Sequence, residues 1–340
     1  MKVKLKDSIH ILKESEDIYH VVFTSTRKVK SLRFDSLVKK IIDLLKEPSD
    51  YDILIRRLNS EHDLDSIRLA VASMQEQGLI RIYSECNERL KKQLYFIDEL
   101  TESWDETLEL QRKISDSSIV VFGCGGIGSW MVNGLHQIGI ERLTIVDPDI
   151  VEESNLNRQL YFTTKDIGKL KVEVIKERLQ NLEIKIDKRR IDDNVSLDDL
   201  IEGANLVVNC ADSPSVEYTT RVIDKHTRPK GIPYCISGGY NMHLGMVGPI
   251  IVPGKTACFE CFLDYQKEID PLKNFSVVKL ASDTGSLGPI TGAVANIQVM
   301  EILKFLIGKG SFNRYAEVDF MDLSVNWKEF TKIDGCKYCS

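Results

Sequence analysis

The sequence has no uninterrupted apolar run of about 18 residues, the length a helix needs to cross a bilayer. Its amino terminus, MKVKLKDSIHILKESEDIYH, also lacks the apolar stretch and small-residue cleavage site of an export signal. A cytoplasmic protein with no membrane partner is expected. A basic balance is missing as well: 45 Lys and Arg against 51 Asp and Glu leave a formal charge of −6, and no cationic run is long enough to track a phosphate backbone. No nucleic-acid partner is expected. Cysteine is too sparse for a disulfide scaffold, with 8 in 340 residues. Half of it falls into two CxxC pairs, Cys258/Cys261 and Cys336/Cys339, a pattern that favours a structural Zn²⁺ held by four thiolates. Neither pair has the strand-to-helix context of a redox thiolate. Cys124, Cys210 and Cys235 lie in apolar surroundings and read as buried fillers, whereas Cys86 lies in a charged segment.

A chain of this length predicts about two domains. Residues 1–83 carry a strand pattern around Val3, Leu5 and Ile9, another at Tyr19 to Phe23, helical periodicity over Phe34 to Leu45 and Ile67 to Met74, and a strand after Gly78. This order predicts a small winged-helix-like domain. Because it is not basic, a protein or peptide is the expected ligand, with a lid or dimerisation appendage as the alternative. Residues 84–114 are charged and helical, a linker into the domain expected over 115–340.

That domain opens with SSIVVFGCGGIGSWMVNGLHQIGIERLTIVDPD. Ile119 to Phe122 reads as a strand, Gly123, Gly125, Gly126 and Gly128 as a tight turn into a helix, and Leu143 to Val146 as the next strand, closed by Asp147. Such a β-α-β unit places phosphates at a helix N-terminus and offers Asp147 to ribose hydroxyls. On this signal alone a dinucleotide fits as well as ATP. A second apolar strand, Leu206 to Val208, runs into Asp212, placed for a ligand or for capping a helix after Pro214. Between them come NLNRQLYF, with Asn155, Arg158 and Gln159, and the helix that Lys171 begins. Singly, Arg158 reads as a surface ion-pair partner and Lys171 as a solvated helix residue. Together with a carboxylate able to hold Mg²⁺ they describe nucleotidyl transfer better than hydride transfer.

GCGGIGSW, DPDIVEESNLNRQLYF, DIGKLKVEVIKERL and VVNCAD, in this order over about residues 115–307, resemble the E1-like (ThiF/MoeB/HesA) adenylating enzymes. The resemblance implies a Rossmann-like α/β domain with a mostly parallel sheet. It also implies that Asp147 holds ribose, that Asp149 and Asn155 belong to the nucleotide loop, that Arg158 and Lys171 contact the triphosphate, and that Asp212 binds Mg²⁺. A substrate carboxylate would attack the α-phosphate and release pyrophosphate. A homodimer is implied too, with a cation crossing from a segment that here reads RLKKQLYF and offers Arg89, Lys92 and Gln93. Lysine in place of the usual arginine at Lys92 loses the bidentate fork.

The layout of a small N-terminal domain, the E1-like domain, YCISGGYNMHLGMVGPIIVPGKTACFECF and a final CxxC is similar to the microcin-type enzymes that nucleotidylate the C-terminus of a short ribosomal peptide. This implies a precursor-peptide clamp over residues 1–83 and leaves ATP and CTP both open. Three other readings remain at this point: adenylation of a sulfur-carrier protein ending in GlyGly, activation leading to cyclisation of a peptide, and a non-catalytic docking protein. No thioester step is expected, because the only cysteine between 211 and 257 is Cys235, in a strand. Asn241, His243 and Asp283 are weaker candidates on the acceptor side.

Overall fold

The amino-terminal unit, Met1–Leu110, is built from short strands and short helices. In the computed structural model, residues 1–179, 183–237, 239–270 and 285–339 are described. Strands β1 (Lys2–Leu5), β2 (Ile9–Lys13), β3 (Ile18–Phe23) and β4 (Lys28–Arg33) come first. They are followed by α1 (Ser36–Leu44), β5 (Ser49–Asp50), α2 (Tyr51–Leu58), α3 (Leu64–Glu76) and β6 (Ile80–Tyr83). β2, β3 and β4 form one antiparallel sheet, and β1 pairs with β5 and β6 in another. Phe34, Leu37, Ile41 and Leu45 recur at helical spacing, and their buried stripe meets Val21, Leu54 and Val71. Asp35 begins α1 by accepting the Val38 N–H at 2.8 Å.

The charged segment after Tyr83 is helical, with α4 (Lys91–Asp98) and then α5 (Trp104–Ser115). It does not run free of the first unit. Arg81 and Asp98, both buried, pair at 2.7 Å from Nε to Oδ2, and Trp104 Nε1 donates to Ser84 Oγ at 3.2 Å. Lys6 also pairs with Asp98 at 3.2 Å and Glu99 with Arg81 at 3.5 Å, so the buried guanidinium and carboxylate belong to a small network of ion pairs.

The second unit, Gln111–Ser340, is a mixed α/β fold around a six-stranded central sheet. Its first half runs β7 (Ser118–Phe122), α6 (Gly126–Gln137), β8 (Arg142–Val146), α7 (Lys171–Arg178), β9 (Glu183–Asp187), α8 (Asp198–Ile201) and β10 (Leu206–Asn209). α9 (Val216–Thr227), β11 (Tyr234–Ile236), β12 (Tyr240–Asn241), β13 (Leu244–Val247), β14 (Ile250–Ile251), α10 (Phe259–Ile269), α11 (Gly288–Leu306), β15 (Arg314–Asp319) and β16 (Ser324–Glu329) complete it. The sheet order is β14-β11-β10-β7-β8-β9. Neighbours from β11 to β9 are parallel, and β14 joins the edge antiparallel. The chain therefore starts at β7, moves outward to β9, and crosses back to lay β10 on the other side of β7. At such a reversal the connections leave in opposite directions and open a crevice at the carboxyl ends of the strands.

α11 packs on α6 and buries Val294, Val299, Ile302, Leu303 and Leu306; Ile297 is only half-buried. No described helix is long and apolar enough to cross a membrane. β12, β13, β15 and β16 form a separate antiparallel sheet. A core of Phe122, Tyr234, Phe262, Tyr315 and Phe330 fills the cysteine-bearing end of the unit.

Candidate active site

A cavity of about 770 Å³ lies over the reversal between β7 and β10. Its wall includes Gly123, Gly125, Gly126, Asp147, Asp149, Asn155, Arg158, Gln159, Lys171 and Asp212, so ten residues singled out in the sequence converge on one space. Gly128 is not among the lining residues. A Cβ on it would lie 1.9 Å from the Gly123 carbonyl oxygen, so its missing side chain lets α6 close onto the turn. Gly123 itself adopts φ +87°, and a Cβ there would meet the backbone of Cys210 and Ala211 at 2.7 Å. The close approach of β7 to the β10 loop depends on both glycines.

Asp147 is buried at the end of β8, where Oδ2 accepts the Cys124 N–H at 2.6 Å and Oδ1 the Asp149 N–H at 2.8 Å. Burial pushes its carboxyl above the ordinary range, against the pull of the Lys171 ammonium and these two amides. Lys171, also buried, starts α7 and points its ammonium at Asp149 Oδ2, 3.2 Å away. The other oxygen of Asp149 lies 3.4 Å from Arg190 Nη2, so one carboxylate bridges two cations of the cavity wall.

Arg158 is held by the loop without being neutralised. Its Nη1 donates to Ser154 O at 2.6 Å and to Asn157 Oδ1 at 3.0 Å, and among the described residues no carboxylate pairs with it. Its backbone carbonyl accepts from Trp130 Nε1 and Thr291 Oγ1, which fixes the loop on α6 and α11. Asn155 takes part in a reciprocal cap with Glu152, whose N–H it accepts at 3.1 Å. Gln159 is buried against the cavity, and among the described residues its Oε1 has no hydrogen-bond partner.

Asp212 stands exposed on the loop after β10. Asn209, fully buried, holds that loop: its Oδ1 accepts the Ala211 N–H at 3.0 Å, and its amide donates to Thr219 and Thr220. The sequence reading gave Asn209 no role, although an asparagine ending an apolar strand is the available signal. Arg189, Arg190, Ser237, Tyr240 and Ser286 also line the cavity without a motif to announce them. The Tyr240 hydroxyl and Ser286 Oγ bond each other across the opening. Cys210 lines the cavity as well, and burial pushes its thiol up to about 12, which keeps it neutral at physiological pH. His243 faces Asp319 at 3.9 Å, and neither it nor Asn241 lines the cavity. Asp283 lies outside the described residues.

Away from the cavity, the sulfurs of Cys258, Cys261, Cys336 and Cys339 all lie within 4.8 Å of one another. Three of the separations are 3.7, 3.6 and 3.5 Å. Tetrahedral thiolates around a metal at about 2.3 Å stand about 3.8 Å apart, so the four fit a Zn²⁺ ion. Backbone N–H groups of Cys258 and Ile333 point at two of the sulfurs. Cys258 is the N-cap of α10, a strand-to-helix position that the sequence reading denied to both pairs. Its sulfur faces three other thiols there rather than solvent.

A family model described as the ThiF family matches residues 105–339. The sulfur carrier protein ThiS adenylyltransferase of Escherichia coli (strain K12) is 27% identical over 243 residues, which cover 69% of this chain and 90% of that protein. The SAMP-activating enzyme E1 of Haloferax volcanii is 26% identical over 236 residues, 68% of this chain and 83% of its own length. Among solved structures, E. coli MccB with ATP superposes with a TM-score of 0.72 over 100% of both chains at 20% identity. The Microcin C7 biosynthetic enzyme MccB in complex with N-formylated MccA gives 0.72 over 100% of both at 22%. At those identities the likeness is one of fold.

Proposed function

This chain belongs to the ThiF family, within the E1-type adenylyltransferase superfamily, and we propose that it activates the C-terminal carboxylate of a short ribosomally made peptide with ATP or CTP. The convergence of Asp147, Arg158, Lys171 and Asp212 on the glycine turn carries this reading. Gly125 and Gly126 open the α6 N-terminus to phosphates, and Asp147, its two oxygens already fixed by amides, accepts from ribose. Arg158, with no carboxylate of its own, forks onto phosphate oxygens, and Lys171 exchanges Asp149 for the same anion. Asp212 holds Mg²⁺, which when bound neutralises triphosphate charge. A carboxylate oxygen forms a bond to the α-phosphorus, the bond from that phosphorus to the bridging oxygen breaks, and pyrophosphate leaves with the electron pair.

The N-terminal unit supports a peptide as the acceptor. The ThiS adenylyltransferase and the SAMP-activating enzyme align to 69% and 68% of this chain, whereas the MccB structures match all of it. In this reading the winged-helix-like unit grips the peptide and raises the local concentration of its terminus. The protein acts as a homodimer in the cytoplasm, and the four cysteines hold a structural Zn²⁺. Adenylation of a sulfur carrier is the second reading, favoured by the likeness to the sulfur carrier protein ThiS adenylyltransferase.

Pyrophosphate release by the full chain with Mg²⁺ and either nucleotide separates them. The two acceptors to compare are the shortest peptide encoded beside the gene and a GlyGly-ended carrier. Turnover of the peptide alone is expected; turnover of the carrier alone overturns the peptide reading.

A further inference from the structure

The cavity has an electrostatic division that the nucleotide reading does not use. Lys171, Arg189 and Arg190 come from the segments after β8 and β9, and Arg158 from the loop before α7. The segments after β10 and β11 contribute no cation; they present Asp212, Ser213, Ser237 and Tyr240, joined by Ser286 ahead of α11. Among the described residues, a substrate carboxylate entering there meets one acid and a set of neutral hydroxyls.

Of those hydroxyls Ser237 is the exception. It directly follows β11, is 3% exposed, and lines the cavity, yet among the described residues its Oγ has no hydrogen-bond partner of proper geometry. The Cys210 thiol is near enough to interact with it. A thiol is a poor substitute for an oxygen acceptor. Ser237 is not loose, because its own N–H donates to Asn209 O at 2.9 Å, anchoring it to the strand that also carries the Asp212 loop. Tyr240 and Ser286, by contrast, bond each other, so each already has a partner and one of their two hydroxyl hydrogens is used. A buried hydroxyl without a partner costs free energy, and such a group in a cavity wall is accounted for when a ligand supplies the missing bond.

Resting on the adenylation reading, we propose that Ser237 is the acceptor-side binding residue, its hydroxyl donating to the substrate carboxylate oxygen that does not attack phosphorus. A neutral donor suits this task. A cation would pair with the attacking oxygen as readily and lower its nucleophilicity, whereas one hydroxyl orients the carboxylate and leaves its charge. After the attacking oxygen bonds phosphorus, the held oxygen becomes the carbonyl of the acyl-nucleotide and still accepts from Ser237.

The retained bond gives a test that needs no knowledge of the natural acceptor. Binding of ATP, 5′-sulfamoyladenosine and the acyl-adenylate mimic 5′-O-(N-glycylsulfamoyl)adenosine is measured by calorimetry on the full chain. The wild type should bind the glycyl compound at least about tenfold more tightly than the unacylated one, the increment expected of one well-placed hydrogen bond. Ser237→Ala should lose this preference with ATP affinity and thermal midpoint unchanged, and Ser237→Thr, which keeps the hydroxyl, should recover most of it. An alanine variant that keeps the preference overturns the proposal, as does one that loses ATP affinity, which would assign Ser237 to the nucleotide. A wild type that binds ATP but ignores the glycyl group also overturns it while sparing the nucleotide site; if CTP binds and ATP does not, the cytidine counterparts replace the three probes, and binding to neither set would bring down the proposed function itself.

Discussion

Replacing Arg158 by alanine separates the chemistry of the cavity from the stability of the fold. The side chain is half-buried, and what it gives the folded protein is two hydrogen bonds to its own loop, at Ser154 O and Asn157 Oδ1. The contacts that anchor the loop run through the Arg158 carbonyl to Trp130 and Thr291, and alanine keeps that carbonyl. The stability cost should therefore stay near 1 kcal/mol, a small shift in thermal midpoint. The kinetic cost should be larger, because Arg158 has no carboxylate partner among the described residues and its charge is available to the triphosphate. Removing one such charge-assisted contact from a transition state costs about 3 kcal/mol, or roughly 10²-fold in rate. Lysine at this position should recover only part of the loss, since it keeps the charge without the fork. The assay is continuous pyrophosphate detection at saturating nucleotide and acceptor, run beside calorimetric unfolding. Turnover within a factor of three of wild type in a folded Arg158→Ala protein would refute the assignment of Arg158 to the phosphates.

Asp212→Ala should abolish pyrophosphate release with little effect on unfolding, because the side chain is exposed and its loop is held by Asn209 instead; retained turnover would remove the Mg²⁺ role. One Zn²⁺ per chain should be found by elemental analysis, and its extraction should lower the thermal midpoint without removing a group from the cavity; a metal-free, reduced protein of equal stability would end the Cys258, Cys261, Cys336 and Cys339 assignment. Hydrogen bonding from Thr163 and the Lys169 and Arg178 cations hold the buried Asp166 carboxyl well below the usual range of about 4. Its stabilisation is thus present above about pH 4 and lost as pH falls below that, so Asp166→Asn should flatten the acid limb of the stability profile; an unchanged limb would show that other carboxylates set it.

How much of this was legible in the sequence depended on whether an element carried its own periodicity. β7, α6, β8, β10 and α11 announce themselves because each buries a continuous apolar run or stripe. β4 does not: KVKSLR is exposed at every position but one, so an edge strand held by pairing to β3 leaves no alternation to read. α2 is eight residues long and starts directly after the two-residue β5, too short for a periodic signal. In the cavity, Asp147, Arg158 and Lys171 sit in local motifs, whereas Arg190, Ser237, Tyr240 and Ser286 meet only because β9, β11 and the approach to α11 end at the same edge. Gly128 shows a subtler limit. Its place in the glycine pattern is plain, but whether such a glycine admits a phosphate or a packed carbonyl is decided by the distance to Gly123, which sequence spacing does not contain.

The pairing of Lys171 with Asp149 connects this topology to the proposed reaction. A lysine 7% exposed would be costly to hold charged without a counter-ion, and the carboxylate supplies one before any nucleotide arrives. Asp149 is itself half exposed and shared with Arg190, so it can turn to solvent when a stronger anion enters. The exchange would make nucleotide affinity smaller than the sum of its phosphate contacts, because the pair that Lys171 would form with phosphate replaces the one it has with Asp149. It also keeps the cations aimed into the cavity. On this account the second acid of DPD is present for the empty site, the first acid for the occupied one, and the two tasks fall to neighbouring residues because β8 ends where the crevice begins.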